Sequence, residues 1–308
     1  MTTPLRCAKR AFRAAIRGGE GALPAPCRSS PAPSRTAIWR GWPVAFLLVL
    51  VVALAGCQAG GHGLVVAGST SVQPVMEKIV EAFRRARPGV RVTVEGGGSS
   101  AGIMAAVTGA ATFGMSSRAL KADHPDEAAL RVFPLALDGI AVIVHPSNVV
   151  TGLHLDQLRD LFTGRIRTWK AVGGPDREVH LIVREEGSGT RGAFDEMVLT
   201  RGKEHLRPDA YALVQDSSGG VREVVRGDPD AIGFVSLGVV NESVRALAID
   251  GVEPTATTVR DGSYRLLRPF VLVAREEPAG LARELWEFAV SSATEPILAQ
   301  EGLVRVGH

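Results

Sequence analysis

Short apolar strands alternate with amphipathic helices from Leu64 onward, and this alternation limits what the chain can fold into. Residues 64–67 form an apolar run, Pro74 suits the first turn of a following helix, and residues 90–94 form the next strand. A helix between two such strands makes a βαβ unit, in which the strands are parallel and helices cover the sheet. Open α/β sheets bind ligands at the loops that follow the strand ends. The pattern therefore predicts an α/β protein with its site in those loops.

Three runs of glycine and hydroxyl residues lie where helices are predicted to begin. The first four N–H groups of a helix lack intrahelical acceptors, so an anion placed there gains several donors and the positive end of the helix dipole. Arg184 lies four residues before Ser188 in the third run, and one guanidinium can contact two oxygens of an oxyanion. These features predict a pocket for a small anion. The runs occupy residues 68–71, 96–102 and 187–190.

A second α/β unit is predicted beyond the β-rich residues 131–145, where Pro146 and Asn148 interrupt the pattern. The third run belongs to this second unit, so the predicted anion site draws on both units. The chain is predicted to close with one helix over residues 281–298. The other predicted elements are a helix near 155–162, a strand at 180–183, a helix from about Thr190, and strands at 231–235 and 269–274.

The basic pI of about 9.0 comes from the N-terminal part of the chain. Residues 1–40 carry eight Arg or Lys residues and one acid, which leaves 27 basic and 31 acidic residues in the remainder. A nucleic-acid partner normally needs a basic face on the folded part, and that part is mildly acidic. We therefore expect no nucleic-acid partner.

Residues 41–56 carry no charge, follow a basic stretch and have the layout of a signal peptide. A bilayer span takes about 20 residues, which makes this run short for a membrane helix. Its ending, Leu-Ala-Gly-Cys at residues 54–57, is similar to the lipobox of bacterial lipoproteins, in which the cysteine becomes the lipidated first residue. We expect Cys57 to carry a lipid such as palmitate and to anchor the protein to a membrane. Cys7 and Cys27 lie upstream, so no intrachain disulfide is expected.

Five motifs in the folded part resemble those of phosphate-binding lipoproteins of the PstS type, the extracytoplasmic receptors of the phosphate ABC importer. The similarity extends from Leu64 to the end of the chain, and the motifs occur in the family's order and spacing. They are AGSTSVQP at 67–74, GSSAG at 98–102, FGMSSR at 113–118, REEGSGTR at 184–191 and AIGFVSLG at 231–238.

The resemblance implies a two-lobed, type II periplasmic-binding-protein fold. Each lobe would be a mixed, mostly parallel sheet flanked by helices, and two crossover strands would join the lobes. Carried onto this numbering, residues 1–56 are the extension and signal peptide, and 57–63 are a tether. Residues 64–143 with 262–308 form lobe 1, and 144–261 form lobe 2.

The resemblance also implies a phosphate site made by residues of both lobes. Thr70 would offer its hydroxyl and Ser71 its backbone N–H, while Ser99 would cap the second helix and donate its hydroxyl. Arg184 would supply the charge, and Ser188, Gly189 and Thr190 would add hydroxyl and amide donors. Closing of the lobes would exclude water and strengthen these bonds. The implied partners are phosphate, the permease subunits and a membrane, for a monomer that is not an enzyme and needs no cofactor or metal.

Ser117 departs from one form of the family pattern, in which an aspartate accepts the proton of hydrogen phosphate. Other members have Ser-Ser-Arg here, as this chain does, so we count Ser117 among the site residues. Without that carboxylate the argument against sulfate or molybdate is weaker, because selection of a protonated anion needs an acceptor. Glu186 or a backbone carbonyl could serve as that acceptor. Arg118 could be a ligand, a clamp on Glu186 or a solvated side chain.

Other functional classes leave weaker signals. Ser188 lacks the Gly-x-Ser-x-Gly pattern of a nucleophile elbow, and no P-loop spacing is present. The seven histidines show no i, i+4 pairing, which argues against a zinc site. Residues 123–127 are predicted to be an exposed turn and helix start. A hydrolase using Ser188 or Thr190, and a binding fold reused as an adhesin or signalling protein, remain alternatives.

Overall fold

The computed structural model describes residues 63–306, and its main feature is a mixed sheet of ten strands. The strands are β1 Leu64–Gly68, β2 Val92–Gly96, β3 Phe113–Ser116, β4 Arg131–Val144, β5 Gly152–Leu153, β6 His180–Arg184, β7 Thr200–Arg201, β8 Glu204–His205, β9 Leu213–Gln215, β10 Ala231–Ser236, β11 Arg245–Ala246, β12 Ala248–Ile249, β13 Leu267–Ala274 and β14 Val304–Arg305. The order along the sheet is β2-β1-β3-β13-β4-β10-β6-β9, and β11 and β14 pair with β4.

Helices connect and cover these strands. Turns of 3-10 helix occupy Trp169–Val172, Leu237–Val239 and Ser292–Thr294, and a π-helical turn occupies Asp195–Leu199. The α-helices are α1 Gln73–Ala86, α2 Ser99–Thr108, α3 Pro125–Ala128, α4 Leu155–Phe162, α5 Gly189–Phe194, α6 Ser218–Gly227, α7 Ala256–Arg260, α8 Leu281–Ala289 and α9 Glu295–Gln300.

The strand directions agree with the predicted βαβ units. β1 is parallel to both β2 and β3, and β6 is parallel to both β10 and β9. Antiparallel strands lie between these two parallel groups, because β13 pairs with β3 and β4, and β4 pairs with β10. The ends of β1, β2, β3 and β6 each lead into one of the predicted anion-site motifs.

Two large hydrophobic cores divide the packing. The first contains Met76 of α1 and Phe113 of β3, and the second contains Phe162 of α4 and Phe194 of α5. β4 contributes Leu135 and Ala136 to the first core, and Ile140 and Val142 to the second. The chain returns through Leu266, in the second core, to Phe270 of β13, in the first. The chain therefore crosses between the cores twice, at β4 and at the start of β13.

The limits of the predicted lobes, 64–143 with 262–308 and 144–261, stay predictions. β4 runs as one strand through the first limit, and its last residues already pack in the second core. Tyr264 and Leu266 pack there as well. β4 passes from the first core to the second near residues 137–139, and β13 passes from the second core to the first near residues 267–269.

The predicted single closing helix over 281–298 is wrong. α8 ends at Ala289, a 3-10 turn follows, and α9 begins at Glu295 with Pro296 in its first turn. Proline lacks an N–H and its ring would clash with the carbonyl four residues earlier in a continuous helix, whereas the first turn of a new helix accommodates it. The buried Thr294 hydroxyl holds the break by bonding the carbonyls of Ala289 and Ser291.

Cys57, the signal peptide and most of the tether lie outside the described residues. Across residues 63–306, no helix is long and apolar enough to cross a membrane. The same region contains no group of three or more His, Cys, Asp or Glu side chains placed to hold a metal ion.

Candidate anion-binding site

The first run forms the turn that joins β1 to α1. Gly68 has a φ of +138°, and a Cβ atom there would lie 2.4 Å from the carbonyl oxygen of Met115, so the position requires glycine. Ser69 then organises the turn, because its Oγ accepts from the N–H groups of Ser71 and Val72 at 3.3 and 3.4 Å. The turn places Thr70 and Ser71 at the start of α1. Thr70 Oγ1 is buried and has no hydrogen-bond partner within residues 63–306.

The second run places the start of α2 beside Ser117. Gly97 and Gly98 have φ values of +144° and +91°, which turns the chain sharply from β2 into the helix. The predicted cap by Ser99 is wrong, since Gly98 is the N-cap residue and Ser99 is the first residue of the helix. Ser99 Oγ instead accepts from the N–H of Ser117 at 3.0 Å and lies 3.3 Å from its hydroxyl. Ser69 Oγ donates to Ser117 Oγ at 2.9 Å.

The third run begins α5 directly opposite α2. Ser188 caps α5 by accepting from the N–H of Arg191 at 3.2 Å. A Cβ atom on Gly189 would lie 2.1 Å from Ser99 Oγ and 2.6 Å from Ser117 Oγ. The absence of a side chain at Gly189 therefore lets the two helix starts approach each other.

Direct contacts also join the two sides of the site. The N–H of Ser100 donates to the carbonyl of Gly187 at 3.1 Å. Ser71 Oγ lies 2.9 Å from Thr190 Oγ1 and 2.9 Å from Ser218 Oγ. Ser71 belongs to predicted lobe 1, and Thr190 and Ser218 belong to predicted lobe 2, so hydroxyls of both predicted lobes meet in one buried cluster.

Arg184 supplies the buried charge of this cluster and is 1 % exposed. Its Nε and Nη2 each donate to the Glu185 carboxylate at 2.8 Å. Nη2 also donates to the carbonyl of Asp216 at 3.2 Å, and Nη1 donates to Ser218 Oγ at 3.0 Å. Glu185 therefore offsets the charge of Arg184, while Glu186, the acceptor considered from the sequence, is exposed.

Arg268 is a second buried arginine near Arg184. It pairs with Asp138 across β13 and β4, and Ser236 Oγ donates to the same carboxylate at 2.8 Å. Burial lowers the pKa of Arg268, and the positive charge of Arg184 acts in the same direction. Two buried arginines, each with a carboxylate partner, thus lie near the point where the chain crosses between the cores.

Arg118 does not join the site. It forms two hydrogen bonds of 2.8 Å with the Glu127 carboxylate, and both side chains are nearly buried. These bonds lower the pKa of Glu127 to about 2. The clamp on Glu186 and the solvated Arg118 are both wrong, as is the expectation that Glu127 is exposed. The pair fixes the loop between β3 and α3.

The structure brings together all eight residues predicted for the site. They are Thr70, Ser71, Ser99, Ser117, Arg184, Ser188, Gly189 and Thr190. The sequence interpretation missed Ser69, Glu185 and Ser218, each of which bonds one of them. A signal for Ser218 was present, because Ser-Ser-Gly-Gly at 217–220 precedes the helical spacing of Val221 and Val225. Neither Ser69 nor Glu185 could be assigned a role without the tertiary contacts.

Comparison with known proteins agrees with this geometry. The sequence model of the protein family described as a PBP superfamily domain matches residues 51–293 of this chain. The phosphate-binding protein PstS of Bacillus subtilis is 30% identical over 254 residues, covering 82% of this chain and 83% of its own. Its counterpart from Borreliella burgdorferi is 25% identical over 251 residues, covering 78% of this chain and 89% of its own.

Solved structures show the same fold. One from Clostridium perfringens, described as a candidate phosphate ABC transporter substrate-binding protein with bound phosphate, has a TM-score of 0.75 and 39% identity. It covers 80% of this chain and is itself covered completely. An ABC-type phosphate transport receptor from Vibrio cholerae has a TM-score of 0.65 and 33% identity, covering 79% of this chain and 100% of its own. The predicted two-lobed periplasmic-binding-protein fold is confirmed, and the chain belongs to the PBP superfamily and, within it, to the PstS-type proteins.

Proposed function

We propose that this chain captures inorganic phosphate between its two lobes and delivers it to an ABC-type importer without catalysing a reaction. The observation that carries the proposal is the convergence of two helix starts and a buried arginine on one cluster of hydroxyl groups. Such a cluster offers N–H and O–H donors to several oxygens of a tetrahedral oxyanion. The phosphate-binding protein of Bacillus subtilis and the phosphate-bound protein from Clostridium perfringens, to which this chain is similar, support the same ligand.

The proposed ligands are Thr70, Ser71, Ser99, Ser117, Arg184, Ser188, Gly189 and Thr190. Thr70 fits this role because its buried Oγ1 has no hydrogen-bond partner in the described part of the chain, and a buried hydroxyl without a partner is unfavourable. We propose lobes at 64–143 with 262–308 and at 144–261. Lipid on Cys57 would hold a monomer outside the cytoplasm, beside the permease that receives the anion.

Titration calorimetry with phosphate tests the proposal. The purified protein is stripped of bound anions by unfolding and refolding, and phosphate is then added. We expect saturable binding of one phosphate per chain and a higher unfolding temperature with added phosphate. No heat and no stabilisation would contradict the proposal. Absence of p-nitrophenyl phosphate turnover in the same preparation would agree with a binding protein.

Another oxyanion, such as sulfate or molybdate, is the second candidate ligand. It is favoured by Ser117, a hydroxyl at the position where one form of the family pattern has an aspartate. It is also favoured by the pairing of Glu185 with Arg184, because that carboxylate is then not free to accept the proton of hydrogen phosphate. Competition between phosphate and sulfate from about pH 5 to about pH 9 separates the two, because only phosphate changes its protonation across that range. Tighter binding of sulfate throughout would favour the second candidate.

A further inference from the structure

A fourth helix, α6, begins at the candidate anion site. Ser217 caps α6, because its Oγ accepts from the N–H of Gly220 at 3.0 Å. Ser218 is the first residue of the helix and is 1 % exposed. The two adjacent serines therefore differ in role. Ser217 accepts a hydrogen bond from a backbone N–H of the first helical turn, and Ser218 places its hydroxyl inside the buried cluster.

The contact between Arg184 and Ser218 fixes the direction of one hydrogen bond in the cluster. Nη1 of Arg184 lies 3.0 Å from Ser218 Oγ, and a guanidinium can donate but never accept. The Ser218 oxygen therefore accepts, and its hydroxyl hydrogen is free to point toward another acceptor. Ser71 Oγ lies 2.9 Å away and can accept that hydrogen. A chain of hydroxyls thus begins at a buried positive charge.

The other donors of Arg184 are largely committed. Nε and one Nη2 hydrogen go to Glu185, and the Asp216 carbonyl takes another Nη2 hydrogen bond. A bidentate contact between Arg184 and an anion would have to break one of these bonds. Through Ser218, the positive charge can reach an anion without breaking them, because a hydroxyl that accepts from a cation becomes a stronger donor.

We propose that Ser218 is a further ligand of the tetrahedral oxyanion. Its hydroxyl hydrogen turns from Ser71 to an oxygen of the anion, while Arg184 continues to donate to its oxygen. Ser71 then loses an incoming hydrogen bond but keeps its own hydroxyl hydrogen, which it can donate to the anion or to Thr190. This inference rests on the proposed function, and it adds α6 to the elements that hold the ligand.

Replacement of Ser218 by alanine, with Ser217→Ala as the matched control, tests the assignment. Phosphate affinity is measured by calorimetry on the purified chain, and stability by urea unfolding. Ser218→Ala should weaken phosphate binding by about tenfold to a hundredfold, the effect of losing a hydrogen bond to a charged group. Ser217→Ala removes a helix cap and should lower stability while changing affinity by less than about twofold. Equal affinities of Ser218→Ala and the wild type would overturn the inference.

A double-mutant cycle with Arg184→Met tests the link to the charge. In the Arg184→Met background, Ser218→Ala should cost less than about threefold, because the hydroxyl is no longer polarised. Additive losses would reject the role of Arg184 in activating Ser218. Failure of the wild type to bind phosphate counts against the proposed function, and the same variants are then compared with sulfate as the probe. Loss of sulfate binding only in Ser218→Ala would still support Ser218 as an oxyanion ligand.

Discussion

The Asp138 carboxylate accepts a hydrogen bond of 2.8 Å from Nε of Arg268, and the two residues face each other across β4 and β13. Both are almost fully buried. Asp138→Ala leaves a buried cation without its partner and should lower the free energy of unfolding by about 3 to 5 kcal/mol. Urea unfolding measures this loss. Asp176→Ala is the control, because Asp176 pairs with Lys170 at the same distance on the surface, where the expected cost is below about 1 kcal/mol.

Adding Arg268→Met to Asp138→Ala should restore part of the lost stability, because it removes the unpaired charge. A double variant less stable than Asp138→Ala alone would show that Arg268 contributes through packing instead, for example on the Phe270 ring 5.2 Å away.

Removal of Arg184 should weaken phosphate binding strongly. Arg184→Ala deletes the buried charge and leaves Glu185 facing the anion, so we expect a loss of about 2 to 5 kcal/mol in binding free energy. Calorimetric titration provides the value, and Arg165→Ala, on an exposed arginine, is the control. Unchanged affinity in Arg184→Ala would reject the proposed site.

Neutralising Glu185 should strengthen phosphate binding. Glu185→Gln keeps the shape of the side chain but removes a negative charge from the guanidinium, so affinity should rise by about threefold to tenfold at low ionic strength. The gain should shrink as salt is added. Glu186→Gln, on the exposed neighbour, should change affinity by less than about twofold. Weaker binding in Glu185→Gln would mean instead that the carboxylate holds Arg184 in position.

A methyl group at Gly189 should keep the two helix starts apart. The added Cβ would lie 2.1 Å from Ser99 Oγ, so Gly189→Ala should weaken phosphate binding at least about tenfold. Gly192→Ala, in the same helix, places its Cβ 3.4 Å from Cδ of Arg118, an ordinary van der Waals contact, and should leave affinity nearly unchanged. Comparable affinities for the two variants would contradict the close approach.

Asp195 should make stability depend on pH. Burial raises the pKa of its carboxyl from 3.8 to about 6, against the opposing effect of Arg191. The folded protein therefore holds this proton more tightly than the unfolded chain, so the carboxyl favours folding at low pH. That contribution is lost as pH rises from about 4 to about 6.

Asp195→Asn should remove this loss and raise the stability at pH 7 by about 1 to 2 kcal/mol, a value reduced because the carboxyl is partly exposed. Urea unfolding between pH 4 and pH 8 measures it, and Asp176→Asn serves as the exposed control. Parallel pH profiles for Asp195→Asn and the wild type would disprove the role of Asp195.

The parts of the fold that follow from local sequence were predictable. Pro74 and the spacing of Val75, Ile79 and Phe83 specify α1, and the glycines at 97 and 98 permit the turn into α2. Each glycine and hydroxyl motif determines its own loop, so a site assembled from several such loops can be foreseen from their order.

Contacts between distant residues were not predictable in this way. Glu185 and Glu186 are chemically equivalent in the sequence, and only the path of the chain after β6 turns one toward Arg184. Arg118 likewise donates to the Glu127 carboxylate, nine residues later in the sequence, because a short loop folds back. Ser99 resembles a helix cap, but the left-handed Gly98 takes that position and frees the serine to bond Ser117.

The hydrogen bond from the N–H of Ser100 to the carbonyl of Gly187 uses only main-chain atoms. Side-chain replacement at either residue leaves both atoms in place, so an alanine scan would assign this contact no energy. Replacing the Ser99–Ser100 amide with an ester by chemical synthesis would remove the donor, and it would also weaken the Ser99 carbonyl as an acceptor. The loss of phosphate affinity in that ester would measure how much this main-chain contact between α2 and the start of α5 contributes to binding.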